Sequence, residues 1–270
     1  MQQPVRAKDT LPLRLLSAAI GIPLLLLCIL AAPAFTLALA AVAALLGLLE
    51  LLRLAGLKQS SLLALSSYVL ALAFLAAAWN GRATAVGVFA LLSPLALLVA
   101  HKIPLPQAKP GLMALAGPLY LGATLAHAVL LRSLDHGAQL LLLAVFSTFA
   151  VDTAAYFTGK AIGKHKMAPK ISPGKTWEGA IGGFLAGVAA AMTMTWGFGL
   201  PIASWQAALI GAALGIVGQA GDLLESALKR AHQAKDAGSL IPGHGGVLDR
   251  LDSIVYNLVV VYHLYVWAAL

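Results

Sequence analysis

The chain has 270 residues, of which 60% are hydrophobic and 10% charged, with a mean hydropathy of +0.89 and a formal net charge of +8. That balance leaves too little polar surface for a soluble globule, and the absence of a basic stripe interleaved with aromatics on a polar module argues against nucleic-acid binding. With one cysteine, Cys28, inside the first apolar run, an intramolecular disulfide is excluded.

Apolar runs punctuated by Gly, Pro, Asn or charge predict nine spans in chain order, at about 12–31, 34–52, 60–79, 83–100, 112–131, 138–158, 179–200, 204–226 and 251–269. None alternates as a strand would, so the fold class is all-α: a polytopic integral membrane protein of about nine transmembrane helices. Arg6, Lys8 and Arg14 ahead of the first run, with small residues at Ala32 and Ala34, resemble a signal peptide, but the spans that follow favour an uncleaved helix. The Pro33 link, the Asn80-Gly81 turn and the Pro104/Pro106/Pro110 loop punctuate the first half. Residues 1–136 form an N-terminal region of about five spans, and 137–270 a catalytic region of about four spans with two charged loops.

Placing the N-terminus in the cytosol leaves sixteen of the eighteen Lys and Arg residues on that side, with Arg82 and Arg132 opposite. By the positive-inside rule this bias puts both charged loops in the cytosol, and the expectation is a multi-pass protein of the cytoplasmic membrane with its active site facing the cytosol. Trp79, Trp177, Trp196, Trp205 and Trp267 fall near span ends, as an interfacial belt requires. Gly179, Gly183 and Gly187 in span seven, and Gly211 and Gly215 in span eight, have the spacing that lets helix backbones approach closely.

Seven of the ten acidic residues lie between Asp152 and Asp252. Asp222, Glu225, Ser226 and Lys229 share or adjoin one helical face, and acids at the edge of lipid imply a partner. Downstream come Lys229-Arg230, Lys235-Asp236, Pro242-Gly243-His244-Gly245-Gly246 and Asp249-Arg250-Leu251-Asp252. The glycines permit a turn that aims N–H groups at an anion, basic side chains suit phosphate oxygens, and carboxylates suit a hard cation such as Mg²⁺.

The other charged loop, 163–179, contains Gly174-Lys175-Thr176 but is no P-loop, since Pro169 stands where that pattern needs glycine. Lys170, Ser172, Lys175 and Thr176 are the substrate candidates there, while Lys160, Lys164 and Lys166 suit anionic headgroups equally well. Asp152 divides evenly between a site role and polar packing. His244 divides likewise between a loop hydrogen bond and proton transfer. Glu50, His101 and His127 read as incidental.

The run Ser226-Ala-Leu-Lys229-Arg230, Lys235-Asp236, Pro242-Gly-His244-Gly-Gly-Val-Leu-Asp249-Arg250-Leu-Asp252 resembles the signature of the CDP-diacylglycerol synthase (phosphatidate cytidylyltransferase) family. Gly221-Asp222-Leu-Leu-Glu225 and Ser172-Pro173-Gly174-Lys175-Thr176-Trp177-Glu178-Gly179 are also similar to it, so the likeness covers the chain from about Asp152 onward. The resemblance implies the reaction of CTP with phosphatidic acid to CDP-diacylglycerol and pyrophosphate. It also implies a divalent metal, a homodimer in membrane lipid, and a second ion such as K⁺.

On that reading Lys175, Lys229, Arg230, Lys235, Asp249 and Arg250 are catalytic. Lys170, Ser172, Lys175, Thr176, Ser226, Lys229, Arg230, His244, Gly245 and Gly246 bind substrate. Asp222, Asp249, Asp252 and Glu225 hold metal. A CDP-alcohol phosphotransferase is excluded, because Ser253 follows Asp252 where that motif needs glycine. A CTP-dependent lipid-alcohol kinase and, from another class, a secondary transporter are the alternatives.

Overall fold

The computed structural model describes residues 10–102, 109–243 and 245–268. The expectations placed on Arg6, Lys8, Pro104, Pro106 and His244, and on the side chains of His101, Lys102 and Lys109, lie outside the described residues.

Apolar helices dominate: α1 (Thr10–Leu30), α2 (Pro33–Leu54), α3 (Leu62–Trp79), α4 (Ala83–Lys102), α5 (Lys109–Gly117), a π-helical turn (Pro118–Ala123), α6 (Thr124–Arg132) and α7 (Gly137–Ile162). A hairpin of β1 (Lys166–Ala168) and β2 (Ser172–Thr176) follows, then α8 (Trp177–Phe198), α9 (Ser204–Ala231), short α10 (Leu248–Leu251) and α11 (Ile254–Ala268). Among the described residues nine helices are long and apolar enough to cross a bilayer, at the nine places the sequence predicts. The chain is a multi-pass membrane protein.

The ends obey local chemistry. Pro33 opens α2 at a position where no helical N–H is needed, and Ser61 caps α3 by accepting the Ala64 N–H at 3.2 Å. Asn80 caps the other end of α3, and Gly81 takes the left-handed turn that the Asn-Gly pair predicts (φ +73°).

Three departures from the predicted pattern shape the site. The 163–179 loop is an antiparallel hairpin, the one sheet among the described residues. The eighth span runs to Ala231, not 226, so Lys229 and Arg230 are helical. The ninth breaks at Asp252-Ser253, leaving Asp249 and Arg250 on the separate one-turn helix α10.

The span made of α5, the π turn and α6 is nearly all buried, packed against α2, α3 and α4 on one side and α11 on the other. The π turn re-aims Tyr120 inward, and Gly122 lets the turn rest directly on the Ala71 backbone. Helices α7, α8 and α9 form a second tight group through their small residues. A Cβ on Gly187 would lie 2.7 Å from Gly211 O, one on Gly183 2.9 Å from Val151 O, and one on Gly215 2.8 Å from the Phe184 Cα. The glycines are packing residues, as their spacing predicts. The five tryptophans sit exposed at helix ends, Trp205 and Trp267 edge-to-face with centroids 5.9 Å apart.

Candidate functional site

The C-terminal ends of α7 and α9, the hairpin, α10 and the N-terminal ends of α8 and α11 meet at one end of the bundle. Helix α2 ends there too, with Glu50 against Leu248, and α1 begins there, with Arg14 Nε donating to Gly243 O at 2.9 Å. Thr176 closes the hairpin and opens α8: its hydroxyl accepts the Gly179 N–H at 3.1 Å, and the side chain is buried where Gly159, Gly163 and Gly179 make room. Arg230 fixes the hairpin to α9 by donating to Ile171 O at 3.2 Å, and it also donates to Ala234 O just past the end of the helix at 3.0 Å.

A cavity of about 500 Å³ opens between these elements, lined in part by Asp152, Tyr156, Ser172, Lys175, Gln219 and Asp222. Lys175 Nζ lies 2.8 Å from Asp222 Oδ2 and 3.2 Å from Gln219 O, while Ser226 Oγ donates to Asp222 Oδ1 at 3.2 Å. Lys160 and Lys166 also face this space, so at least these two of the juxtamembrane lysines border the site as well as any headgroup. Lys175 and Arg250 lie within electrostatic range of Asp152, and Asp222 and Asp152 within range of Asp252.

A second cluster lies behind the cavity. Lys229 Nζ is shared between Asp249 Oδ1 at 2.7 Å and Glu225 Oε1 at 3.0 Å. Asp249, 7% exposed, also accepts the Ala237 N–H at 3.0 Å and the Gly246 N–H at 2.9 Å. Glu225 is 1% exposed, and its second oxygen accepts the Tyr120 hydroxyl at 3.2 Å. These carboxylates are therefore satisfied as buried charges must be. Gly243 (φ +75°) and Gly245 (φ +88°) turn the loop, and Ile241 N–H donates to Gly245 O at 2.8 Å, closing a tight ring before α10.

The predicted residues thus divide. Ser172, Lys175, Thr176 and Asp222 line the cavity, and Ser226 orients Asp222. Lys229, Glu225, Asp249, Gly245 and Gly246 form the supporting cluster, Arg230 is a tie between hairpin and helix, Lys170 and Lys235 are exposed, and Arg250 is exposed within electrostatic range of Asp152. Among the described residues no three His, Cys, Asp or Glu side chains converge as a closed metal cage. Of the four carboxylates expected to take metal, Glu225 and Asp249 are engaged by Lys229 and other donors. Asp222 is paired with Lys175 at the cavity instead, and Asp252 accepts the Ser253 N–H at 2.7 Å, with Asp152 within electrostatic range of it.

Gln219 and Tyr120 escaped the sequence reading, and Glu50 was read there as incidental. Gln219, one turn before Asp222 in an apolar helix, carried a signal; Tyr120 carried none. Glu50 is not incidental: it is 2% exposed and accepts the Leu248 N–H at 2.8 Å.

The fold and the site define a polytopic helical membrane protein whose cavity, lined by lysines and carboxylates at one end of its spans, suits phosphate groups. Residues 12–268 match the Cytidylyltransferase family, and the chain belongs to that family. It is 37% identical over 225 residues to a phosphatidate cytidylyltransferase of Bacillus subtilis, covering 80% of this chain and 83% of the relative. It is 42% identical over 148 residues, 54% of each chain, to the phosphatidate cytidylyltransferase of Brucella suis. Over 124 residues it is 41% identical to that of Staphylococcus epidermidis, 46% of this chain and 48% of the relative.

Proposed function

We propose that the chain transfers a cytidylyl group from CTP to phosphatidic acid, forming CDP-diacylglycerol and pyrophosphate for phospholipid synthesis. The observation that carries this reading is the cavity where Lys175, Asp222 and Asp152 meet at the membrane-flanking end of α7, α8 and α9, within a family of cytidylyltransferases.

The reacting groups are both anionic. A phosphate-monoester oxygen of the lipid attacks the α-phosphorus of CTP, the bond to the bridging β-oxygen breaks, and its electrons leave with pyrophosphate. The lipid phosphate is largely dianionic at neutral pH and needs no strong base, so the barrier lies in charge repulsion and alignment. Lys175, Lys160 and Lys166 line the cavity and offset the phosphates of either substrate, and Arg250 does so from within electrostatic range of Asp152. Ser172 offers a hydroxyl to a phosphate oxygen. Lys229 serves mainly to hold Asp249 and Glu225 in place.

A divalent cation fits this site. Asp222 and Asp252 are oxygen donors of the kind Mg²⁺ takes, one or two protein carboxylates with substrate phosphates and water completing the shell. When bound, Mg²⁺ would screen the triphosphate and stabilise charge on the departing pyrophosphate. The sixteen-to-two bias of Lys and Arg supports a cytosolic face for the site in the cytoplasmic membrane, where CTP is available.

The test is pyrophosphate release by the purified protein in detergent, with phosphatidic acid and Mg²⁺, comparing CTP with ATP, GTP and UTP. Release that requires both CTP and lipid supports the transferase. CDP formation without pyrophosphate would turn the reading to a lipid-alcohol kinase.

A further inference from the structure

The geometry points to Glu50 as the positioning residue for the loop that carries Asp249, an inference that rests on the cytidylyltransferase reading above. Glu50 belongs to α2, in the half of the chain where the site motifs do not occur, yet its carboxylate is buried against residues about 190 to 200 positions away. A carboxylate buried at the edge of lipid requires a donor, and Glu50 finds one in peptide backbone: Oε2 accepts the Leu248 N–H at 2.8 Å.

Two glycines close over the same carboxylate. A Cβ on Gly238 would collide with Glu50 Oε1 and lie 2.6 Å from its Cδ, and one on Gly246 would collide with Oε2 and lie 2.7 Å from the Cδ. With the Glu50 carboxylate in this position neither place has room for a Cβ, so a larger residue at either would displace it. The peptide groups that hold Asp249 come from these same two points of the loop. Gly246 N–H donates to Asp249 Oδ2 at 2.9 Å, and Ala237, the neighbour of Gly238, donates to Asp249 at 3.0 Å. Glu50 therefore sets the backbone that sets Asp249, and Asp249 sets Lys229. Among the described residues Glu50 Oε1 has no hydrogen-bond partner, so the carboxylate is held by the fit of the loop around it as well as by one bond. In this way α2 transmits the position of the N-terminal spans to the reacting end of the C-terminal ones.

The experiment uses full-length protein in detergent. Rates of CTP- and lipid-dependent pyrophosphate release are normalised to folded, monodisperse protein, for Glu50→Ala, Glu50→Gln, Gly238→Ala and the Glu50→Ala/Gly238→Ala double variant. Glu50→Ala is expected to lower kcat/KM by about 100-fold per folded molecule, the scale of a displacement near 1 Å at a reacting centre. Glu50→Gln keeps shape and an acceptor for Leu248 and should stay within about tenfold of wild type. Gly238→Ala should be damaging alone but nearly silent when Glu50→Ala has removed the colliding group.

Wild-type kcat/KM in Glu50→Ala, a deficit that vanishes on normalisation, or additive effects in the double variant would each overturn the inference. If Glu50→Ala does not fold, Gly238→Ala and Glu50→Gln decide: full kcat/KM in Gly238→Ala overturns it. Hydrogen exchange separates this inference from the activity reading, since it needs no turnover. Amides 237–248 should exchange faster in Glu50→Ala whatever substrate the enzyme takes, and unchanged exchange there would also overturn the inference.

Discussion

Lys175 of the β-hairpin and Asp222 of α9 meet across the cavity with Nζ and Oδ2 2.8 Å apart, joining the two charged segments of the chain in a single ion pair. Both side chains are partly exposed, so the pair is accessible to a phosphate that competes for the lysine or a cation that competes for the carboxylate.

Lys175→Ala is accordingly expected to fold and to lose turnover by at least about 100-fold, the scale of removing one charge-stabilising group. Normal elution from size exclusion with absent pyrophosphate release checks this. Retained turnover would remove Lys175 from the chemistry.

Asp222→Asn and Asp249→Asn should fail differently. For Asp222→Asn we expect near-wild-type melting and a Mg²⁺ requirement raised at least about tenfold, as loss of one ligand produces. Asp249→Asn leaves Lys229 short of a buried partner and should destabilise by about 3–5 kcal/mol, the cost of breaking a buried pair. Thermal unfolding beside a Mg²⁺ titration distinguishes the two, and identical behaviour would contradict the division of the carboxylates described above.

Tyr120→Phe removes the hydroxyl that donates to buried Glu225. A loss of about 1–3 kcal/mol in stability is expected from leaving that oxygen short of a donor. Unchanged melting would show that water takes the hydroxyl's place.

Gly187→Leu places a side chain where a Cβ would lie 2.7 Å from the Gly211 carbonyl oxygen. Overpacking of this contact should cost at least about 1–3 kcal/mol and lower the yield of folded protein, with no specific effect on KM for CTP. Melting temperature and KM measured together test it.

Topology is open to labelling because Cys28 is buried. Ser239→Cys, in the exposed loop before α10, should react with a membrane-impermeant maleimide only from the cytosolic side. Ser204→Cys, exposed at the start of α9, should react only from the opposite side. The reverse pattern would invert the orientation that the Lys and Arg bias predicts.

The number and position of the spans were determined by the sequence alone, because a stretch of about 20 apolar residues has one low-energy solution in lipid, a helix that satisfies its own backbone. The glycine contacts between α8 and α9 were equally legible, since a 3.6-residue period projects Gly187 and Gly211 onto faces that can touch. So was the gathering of chemistry between Asp152 and Asp252, because acids are rare enough in such a chain for seven to stand out.

Which carboxylates are buried behind the cavity and which face it was decided only by the tertiary structure. Asp222 and Glu225 are one turn apart on α9, yet one faces the cavity with Lys175 and the other is buried between Lys229 and Tyr120. The partners arrive from distant elements, Tyr120 by way of a π turn and Glu50 across 198 residues of chain. Helical periodicity reports which residues share a face, but a hydrogen-bond partner is chosen by how loops and helices from elsewhere close over that face. That choice is written in no local pattern, and it is where Glu50 passed from an ordinary acidic residue to the centre of the loop.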